Sequence, residues 1–433
     1  MIMNAVLISV IVMLVLSLLR VNVIFSLIFA SLTAGLVAGI PVSDATTLMV
    51  NGMGDKSGTA LSYVLLGMFA VMIGLSGIMS LLVQFLRKVF PNRRFALILM
   101  LAFIASFSQN LIPVHIAFIP ILIPPLLHVF NEMKIDRRAV ASALTFGLKF
   151  PYITIPVGYG LLYQTLIKEA MDDNGMPIAK STVSVAMLFP GAAMIIGLFI
   201  AVFITYRKQV EPKEPIRKLE QPEAVEKWNI HHTLTILAII GALAVQIWQD
   251  SLILGALIGI IILFIAQVVP AARGDEVVQE GIAMMGFIAF VMLIAGGYAN
   301  VLKETGHVNE LVEWTLTITG TSPFIIAFFL LSIGLIITLG IGSSFATIPI
   351  LATLYIPVFL EAGISVTLAA VLIGTASALG DAGSPASDST LGPTAGLNAD
   401  GTHHHIWDTC VPTFLHYNIP LFLIGLVAAV ILG

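Results

Sequence analysis

"GDAGSPASDST", residues 380 to 390, lies near the end of a chain built almost wholly of apolar stretches. Asp381 and Asp388 flank a proline, Pro385, with Ser384, Ser387, Ser389 and Thr390 around them. A carboxylate inside a bilayer costs about 3 kcal/mol on insertion scales, so two in one short segment demand a compensating function. Pro385 breaks the helix that begins near 364, exposing carbonyls before the break and amides after it. Hard oxygen ligands around freed carbonyls suit a small, hard cation such as sodium, which thiols or imidazoles would not. Either aspartate could also release a proton, since burial raises a carboxylate pKa and a nearby cation lowers it. Sodium and protons competing for one carboxylate make an exchanger. The same side chains could cap the helix segments on both sides of Pro385, and the two roles can coexist.

The rest of the chain sets the class. Apolar residues make up 58% and charged residues 10% of its 433 positions, against about 25% charged in a soluble domain. Mean hydropathy is +1.03. This is the composition of an all-α polytopic membrane protein. One cysteine, Cys410, excludes an intrachain disulfide and a cysteine-cluster metal site. The opening "MIMNAVLISVIVMLVLSLL" has no basic n-region and no small-residue cleavage site, and reads as a first span.

Two short patterns recur in the same order. Residues 117–122, "AFIPIL", return as "ATIPIL" at 346–351, and Ala141-Ser142-Ala143-Leu144 returns as Ala376-Ser377-Ala378-Leu379, each followed by a proline, Pro151 or Pro385. Between them lies the charged stretch "RKQVEPKEPIRKLEQPEAVEK". A duplication is expected: a first repeat over 1–206, a cytoplasmic linker over 207–230 and a second repeat over 231–433. Spans are expected near 3–19, 21–40, 60–86, 138–168 and 187–206, and again near 232–248, 251–269, 281–302, 364–395 and 411–432. The stretches 95–130 and 323–360 are too long for one helix and too broken for two spans, and are expected as re-entrant hairpins.

The positive charges agree with that layout. Both ends of the first hairpin are basic, with Arg87, Lys88, Arg93 and Arg94 before it and Lys134, Arg137 and Arg138 after it. Together with the linker, Arg20 and Arg273, this puts 15 of the 20 Lys and Arg residues inside, leaving Lys56, Lys168, Lys180 and Lys303 outside and Lys149 within a span. An odd number of spans in each half makes the repeats inverted and puts both termini outside. Inverted repeats with broken helices place substrate at mid-membrane and allow alternating access, the design of a secondary transporter.

Other polar groups are expected at that site. The first hairpin tip offers Ser106, Ser108, Gln109, Asn110 and His115; the second offers Gly340, Gly342, Ser343, Ser344 and Thr347. Lys149, in "LTFGLKFPY", stands beside Pro151 and could be a fixed counter-charge for Asp381 or Asp388, contact a substrate carboxylate, or snorkel to an interface. "HHHIWD", residues 403–408, is expected as a cytoplasmic loop, because adjacent histidines on a regular helix cannot share one ion. "ALGD" ending at Asp381 resembles the Gly-x-Gly-Asp segment of intramembrane aspartyl proteases, but no second intramembrane aspartate lies on another span, so no enzyme is expected. No GxxxxGK[ST] loop points to ATP-driven transport.

Residues 380–390 resemble the GD-x-x-SP-x-SD-x-T motif of sodium/proton antiporters of the NhaC-like kind, within the wider ion-transporter superfamily. The resemblance extends to "GIGSSFATIPI" and "IWDTCVPTFLHYNIP" and to the layout of the whole chain. It implies two inverted repeats with hairpins and broken helices, a homodimer moving like an elevator, and ion binding by Asp381, Ser384, Asp388 and Thr390. The first half departs from the pattern, with "FGLKFPYITIPVGYG" where an acidic motif is often found. Sodium/proton antiport across the cytoplasmic (inner) membrane is therefore expected, with sodium and protons as coupling ions, no cofactor and no nucleic-acid partner. Sodium- or proton-driven uptake of an amino acid or similar organic solute is the alternative, Lys149 and the hairpin tips then binding the solute.

Overall fold

A computed structural model describes residues 4–19, 21–78, 81, 93–110, 119, 122–212, 214, 227–249, 251–385 and 387–433. Within them every regular element is helical, the form in which a chain in lipid satisfies its own backbone. The first elements are α1 (Ala5–Leu18), α2 (Val23–Val37), α3 (Val42–Gly54) and α4 (Ser57–Leu75). Of these, α2, α3 and α4 pack along a long helix, α12 (Gly274–Glu304), and α1 packs on α2. Glycine makes the approach possible: a Cβ on Gly67 would fall 2.6 Å from the Gly281 carbonyl, and one on Gly52 would fall 2.7 Å from that of Gly296. Lipid offers no hydrophobic gain between helices, so such close contact is what binds them. After α9 (Lys180–Thr205), helices α10 (Ile230–Gln249) and α11 (Leu252–Ile265) pair beside α4, with Gly259 against Phe69.

Two broken spans form the interior. The first is α7 (Arg137–Thr154) followed by α8 (Tyr159–Asp173), bent by 51°. Pro151, expected to break this span, lies inside α7, because its carbonyl still accepts a hydrogen bond from the Ile155 amide. The interruption comes at Pro156, which forces Ile155 into an extended conformation (φ −101°, ψ 112°), and at Gly158 with φ +59°. The second span is α16 (Val366–Ala378) and α17 (Asp388–Leu397). It parts at Leu379–Gly380, where Gly380 has φ +81°, several residues before Pro385. The two spans touch directly. The Tyr163 hydroxyl on α8 donates to the Gly374 carbonyl of α16, and Thr145 on α7 donates to the Ser389 carbonyl of α17 (both 2.8 Å).

The stretch 323–360 is a hairpin of α14 (Pro323–Ile341) and α15 (Ser344–Glu361). Gly342 ends the first arm in the left-handed conformation and Ser343 caps the second. The last helix, α18 (His405–Leu432), brings the two ends of the hairpin together. The Leu432 carbonyl accepts from Ser365, just beyond the second arm, and Gly433 lies against Pro323 at the start of the first. In the stretch 95–130, α5 (Arg94–Asn110) packs on α7 through Gly147, and α6 (Leu127–Glu132) follows. The side chains of Ser108, Gln109 and Asn110, and all of His115, lie outside the described residues.

Charge collects at two ends of the bundle. At the end of α8, Asp173 takes Lys56 (3.2 Å), and its carbonyl accepts from Lys303 (2.9 Å). At the start of α7, Arg137 grips Asp400 (2.6 Å) and Lys134 pairs with Glu211 of the linker (2.6 Å). Asn4 donates to the His307 carbonyl (2.8 Å), and Leu360 lies 4.0 Å from where a Cβ on Gly175 would stand. Helices α3 and α13 (Val308–Thr319) fill stretches between the expected spans. The histidine segment also differs from the expected loop, since His404 caps α18 by accepting from the Ile406 and Trp407 amides, and the helix starts at His405.

Candidate functional site

Asp381 sits in the break between α16 and α17 and is 3% exposed. One carboxylate oxygen accepts from the Ser387 hydroxyl (2.5 Å). The other accepts from the Ser344 amide (2.9 Å), from the Ser344 hydroxyl and from the Lys149 ammonium. Lys149 is itself 5% exposed, so the pair is buried on both sides. Sequence spacing explains one companion: Tyr152 follows Lys149 by three residues on α7, hence on the same helix face. Its hydroxyl meets the Ser344 hydroxyl (2.9 Å), and its ring lies 5.4 Å from the Lys149 nitrogen. The Tyr152 hydroxyl also lies 3.5 Å from the Asp381 oxygen that Ser344 and Lys149 share.

The break is held from three sides. Asn418 on α18 accepts from the Gly380 amide (2.7 Å) and donates to the Ala382 carbonyl (2.6 Å), replacing helix bonds that the break removes. Thr338 on α14 donates to the Ala376 carbonyl (3.1 Å), and Ser384 donates to that of Leu339 (3.2 Å). Thr390 donates to the Ser384 and Ser387 carbonyls (2.6 and 2.8 Å). Ser384 and Thr390, expected as ion ligands, thus also tie the turn to itself and to α14. Gly380 threads past α14, where a Cβ would fall 2.6 Å from the Leu339 amide nitrogen. Gly380→Ala is therefore expected to lower stability by about 1–3 kcal/mol from the positive φ alone, with more from the clash, read as a lower unfolding temperature in detergent.

A cavity of about 110 Å³ opens beside the pair, lined by Lys149, Asp381, Asp388, Ser343, Tyr152 and Tyr159 among others. Asp388 corrects an expectation: it is exposed at the wall of the cavity, whereas Asp381 is buried. Asp388 is the first residue of α17, capped by Ser387, and the partial positive charge of that helix end compensates its carboxylate without deep burial. Thr347 stays within its own helix, donating to the Ser343 and Ser344 carbonyls, and is fully buried without lining the cavity. Ser343 reaches the cavity as the cap of α15. Four aromatic rings, Tyr63, Tyr152, Tyr159 and Tyr163, surround Phe345 at 5.1–6.4 Å between centroids.

Two of these parts were hidden in the sequence. Tyr152 and Asn418 read as ordinary members of apolar runs, though both stand in segments that carry other signals. The histidines form no metal cluster with acidic or cysteine neighbours among the described residues. His405 instead contacts the Pro385 carbonyl (3.0 Å), so the segment buttresses the break.

What this arrangement can do is hold a charge within a bilayer and exchange its partner, the task of a secondary transporter and not of an enzyme. The chain belongs to the Na+/H+ antiporter family, whose model matches residues 143–429. A second model, of a Na+-H+ antiporter family, matches residues 4–90. An uncharacterised membrane protein of Vibrio parahaemolyticus is 47% identical over 99% of this chain and 100% of its own length. The Bacillus subtilis protein named "Putative amino acid transporter YuiF" is 46% identical, covering 99% of this chain and 100% of its own. Among solved structures, the fold is similar to that of Neisseria gonorrhoeae MtrF, of a class of antimetabolite efflux pumps, with a TM-score of 0.63, 16% identity, and 90% and 84% of the two chains covered. It is also similar to the YdaH transporter of Alcanivorax borkumensis, with a TM-score of 0.61, 15% identity, and 89% and 87% covered.

Proposed function

We propose that this chain is a cation-coupled carrier that moves a small zwitterion of the amino-acid class across the cytoplasmic membrane by alternating access. The carrying observation is the buried Lys149–Asp381 pair on the wall of the cavity. Breaking such a pair by removing one partner leaves an uncompensated charge, worth about 3–5 kcal/mol. A zwitterion avoids that cost, since its carboxylate pairs with Lys149 while its ammonium or the coupling cation pairs with Asp381. The cavity also suits a solute better than a bare ion: about 110 Å³ is roughly the share of three or four waters, and aromatic rings line it. Asp388 supplies a second carboxylate for the coupling sodium ion or proton. A relative that bears the name of an amino acid transporter supports the same reading.

Exchange of sodium for protons without an organic solute is the second reading, favoured by the family's description. There, sodium would take the place of the Lys149 ammonium at Asp381, and a proton would move the opposite way. In both readings two inverted repeats rock about the break.

Reconstituted proteoliposomes separate the two. A sodium or proton gradient is expected to drive accumulation of a labelled amino acid, with no sodium-dependent collapse of a pH gradient when solute is omitted. Collapse without solute, together with no amino acid uptake, would replace the carrier reading by exchange.

A further inference from the structure

Tyr63, on α4, is 1% exposed and lines the cavity, and its hydroxyl has no hydrogen-bond partner among the described residues. Leaving a buried hydroxyl unsatisfied costs about 1–3 kcal/mol, a cost that phenylalanine would not carry. The other cavity tyrosines are placed differently: Tyr152 bonds to Ser344, and Tyr159 points its hydroxyl at the sulfur of Met285 (3.5 Å). The Tyr63 ring is also fixed. It stands edge-on to Phe345 (5.9 Å, 83°) and 6.5 Å from Tyr159, on a helix locked to α12 at Gly67. Phe345 packs against Tyr152 as well (5.1 Å), so that ring stands between Tyr63 and the tyrosine beside Lys149. A rigid phenol, desolvated and unsatisfied in a cavity wall, is a binding group that waits for its ligand.

We propose that the Tyr63 hydroxyl binds the side chain of the transported solute, which is therefore an amino acid with a neutral, hydrogen-bonding side chain. The inference rests on the carrier reading above, in which the α-carboxylate and α-ammonium are claimed by Lys149 and the acidic groups. The side chain is the part of the solute left to meet Tyr63. A charged side chain would bring a charge for which the phenol has no counter-charge. An apolar one would leave the hydroxyl unsatisfied, and a site built to hydrogen-bond its substrate rejects the analogue that lacks the group.

The test measures stabilisation of the purified protein in detergent by each proteinogenic amino acid in turn, for wild type and Tyr63→Phe. Wild type is expected to favour a polar amino acid over its apolar near-isostere, such as threonine over valine or glutamine over methionine, by about tenfold or more in affinity. Tyr63→Phe lacks only the hydroxyl. It is expected to unfold at or above the wild-type temperature, to lose that preference, and to bind the apolar analogue as wild type does. Retained preference in Tyr63→Phe, or a wild type that favours the apolar member, would overturn the role of the hydroxyl and leave the carrier reading standing. If no amino acid stabilises the wild type, both fall together.

Discussion

Replacing Asp381 by asparagine is expected to abolish coupled transport, with a loss of at least about a hundredfold in gradient-driven flux. The asparagine amide keeps an oxygen for the Ser344 amide, so the break can still close. It offers no negative charge to Lys149, which in the wild type is buried against that carboxylate. Half of the exchangeable pair is gone, and neither a cation nor the ammonium of a zwitterion finds its counter-charge. A buried ion without a partner costs several kcal/mol, more than enough for a hundredfold effect. Asp388→Asn is the informative comparison. That side chain is exposed on the cavity wall at a helix start, so its loss should weaken binding of the coupling cation more than it disturbs folding. Coupled flux that survives in Asp381→Asn at the wild-type rate would remove Asp381 from the mechanism, and with it the site.

The second large effect is on stability. Lys149→Met is expected to destabilise the protein by about 3–5 kcal/mol, because it leaves the buried Asp381 carboxylate without its counter-charge. The double variant Lys149→Met/Asp381→Leu should recover most of that loss, since two apolar side chains of similar volume need no counter-charge. Unfolding of the two single variants and the double in the same detergent closes a double-mutant cycle, and an interaction energy near zero would mean that the two charges do not depend on each other. The contrast with the surface is instructive. Lys134–Glu211 has the same kind of geometry at 2.6 Å, but both side chains are solvent-accessible, and its removal should change stability little.

The two breaks show how far a motif can be read. Prolines mark both regions, but neither marked proline is where its helix parts. Pro151 remains helical because its carbonyl keeps a donor in the Ile155 amide, and the chain turns only at Pro156 and Gly158. Pro385 lies within a turn that Gly380 has already opened by adopting φ +81° beside α14. Proline shows that a helix is weak in a region; the residue at which it yields depends on which backbone groups find other partners, here Asn418 and Thr338.

Composition alone determined that this chain is a helical membrane protein, because a backbone in lipid has few ways to satisfy itself and so few charged residues cannot cover a soluble surface. The cluster of hydroxyls and carboxylates at 380–390 was equally legible, since polar groups in so apolar a chain stand out against their cost. Nothing in the sequence separates Asp381 from Asp388, or says that Lys149 is the partner of the first. Tyr63, Tyr152 and Asn418 look like filler in apolar runs. Those distinctions belong to the tertiary structure, because burial and pairing are properties of what packs around a group. Only the meeting of α7, α15 and the second break brings one lysine to one carboxylate and leaves the other aspartate at the cavity wall.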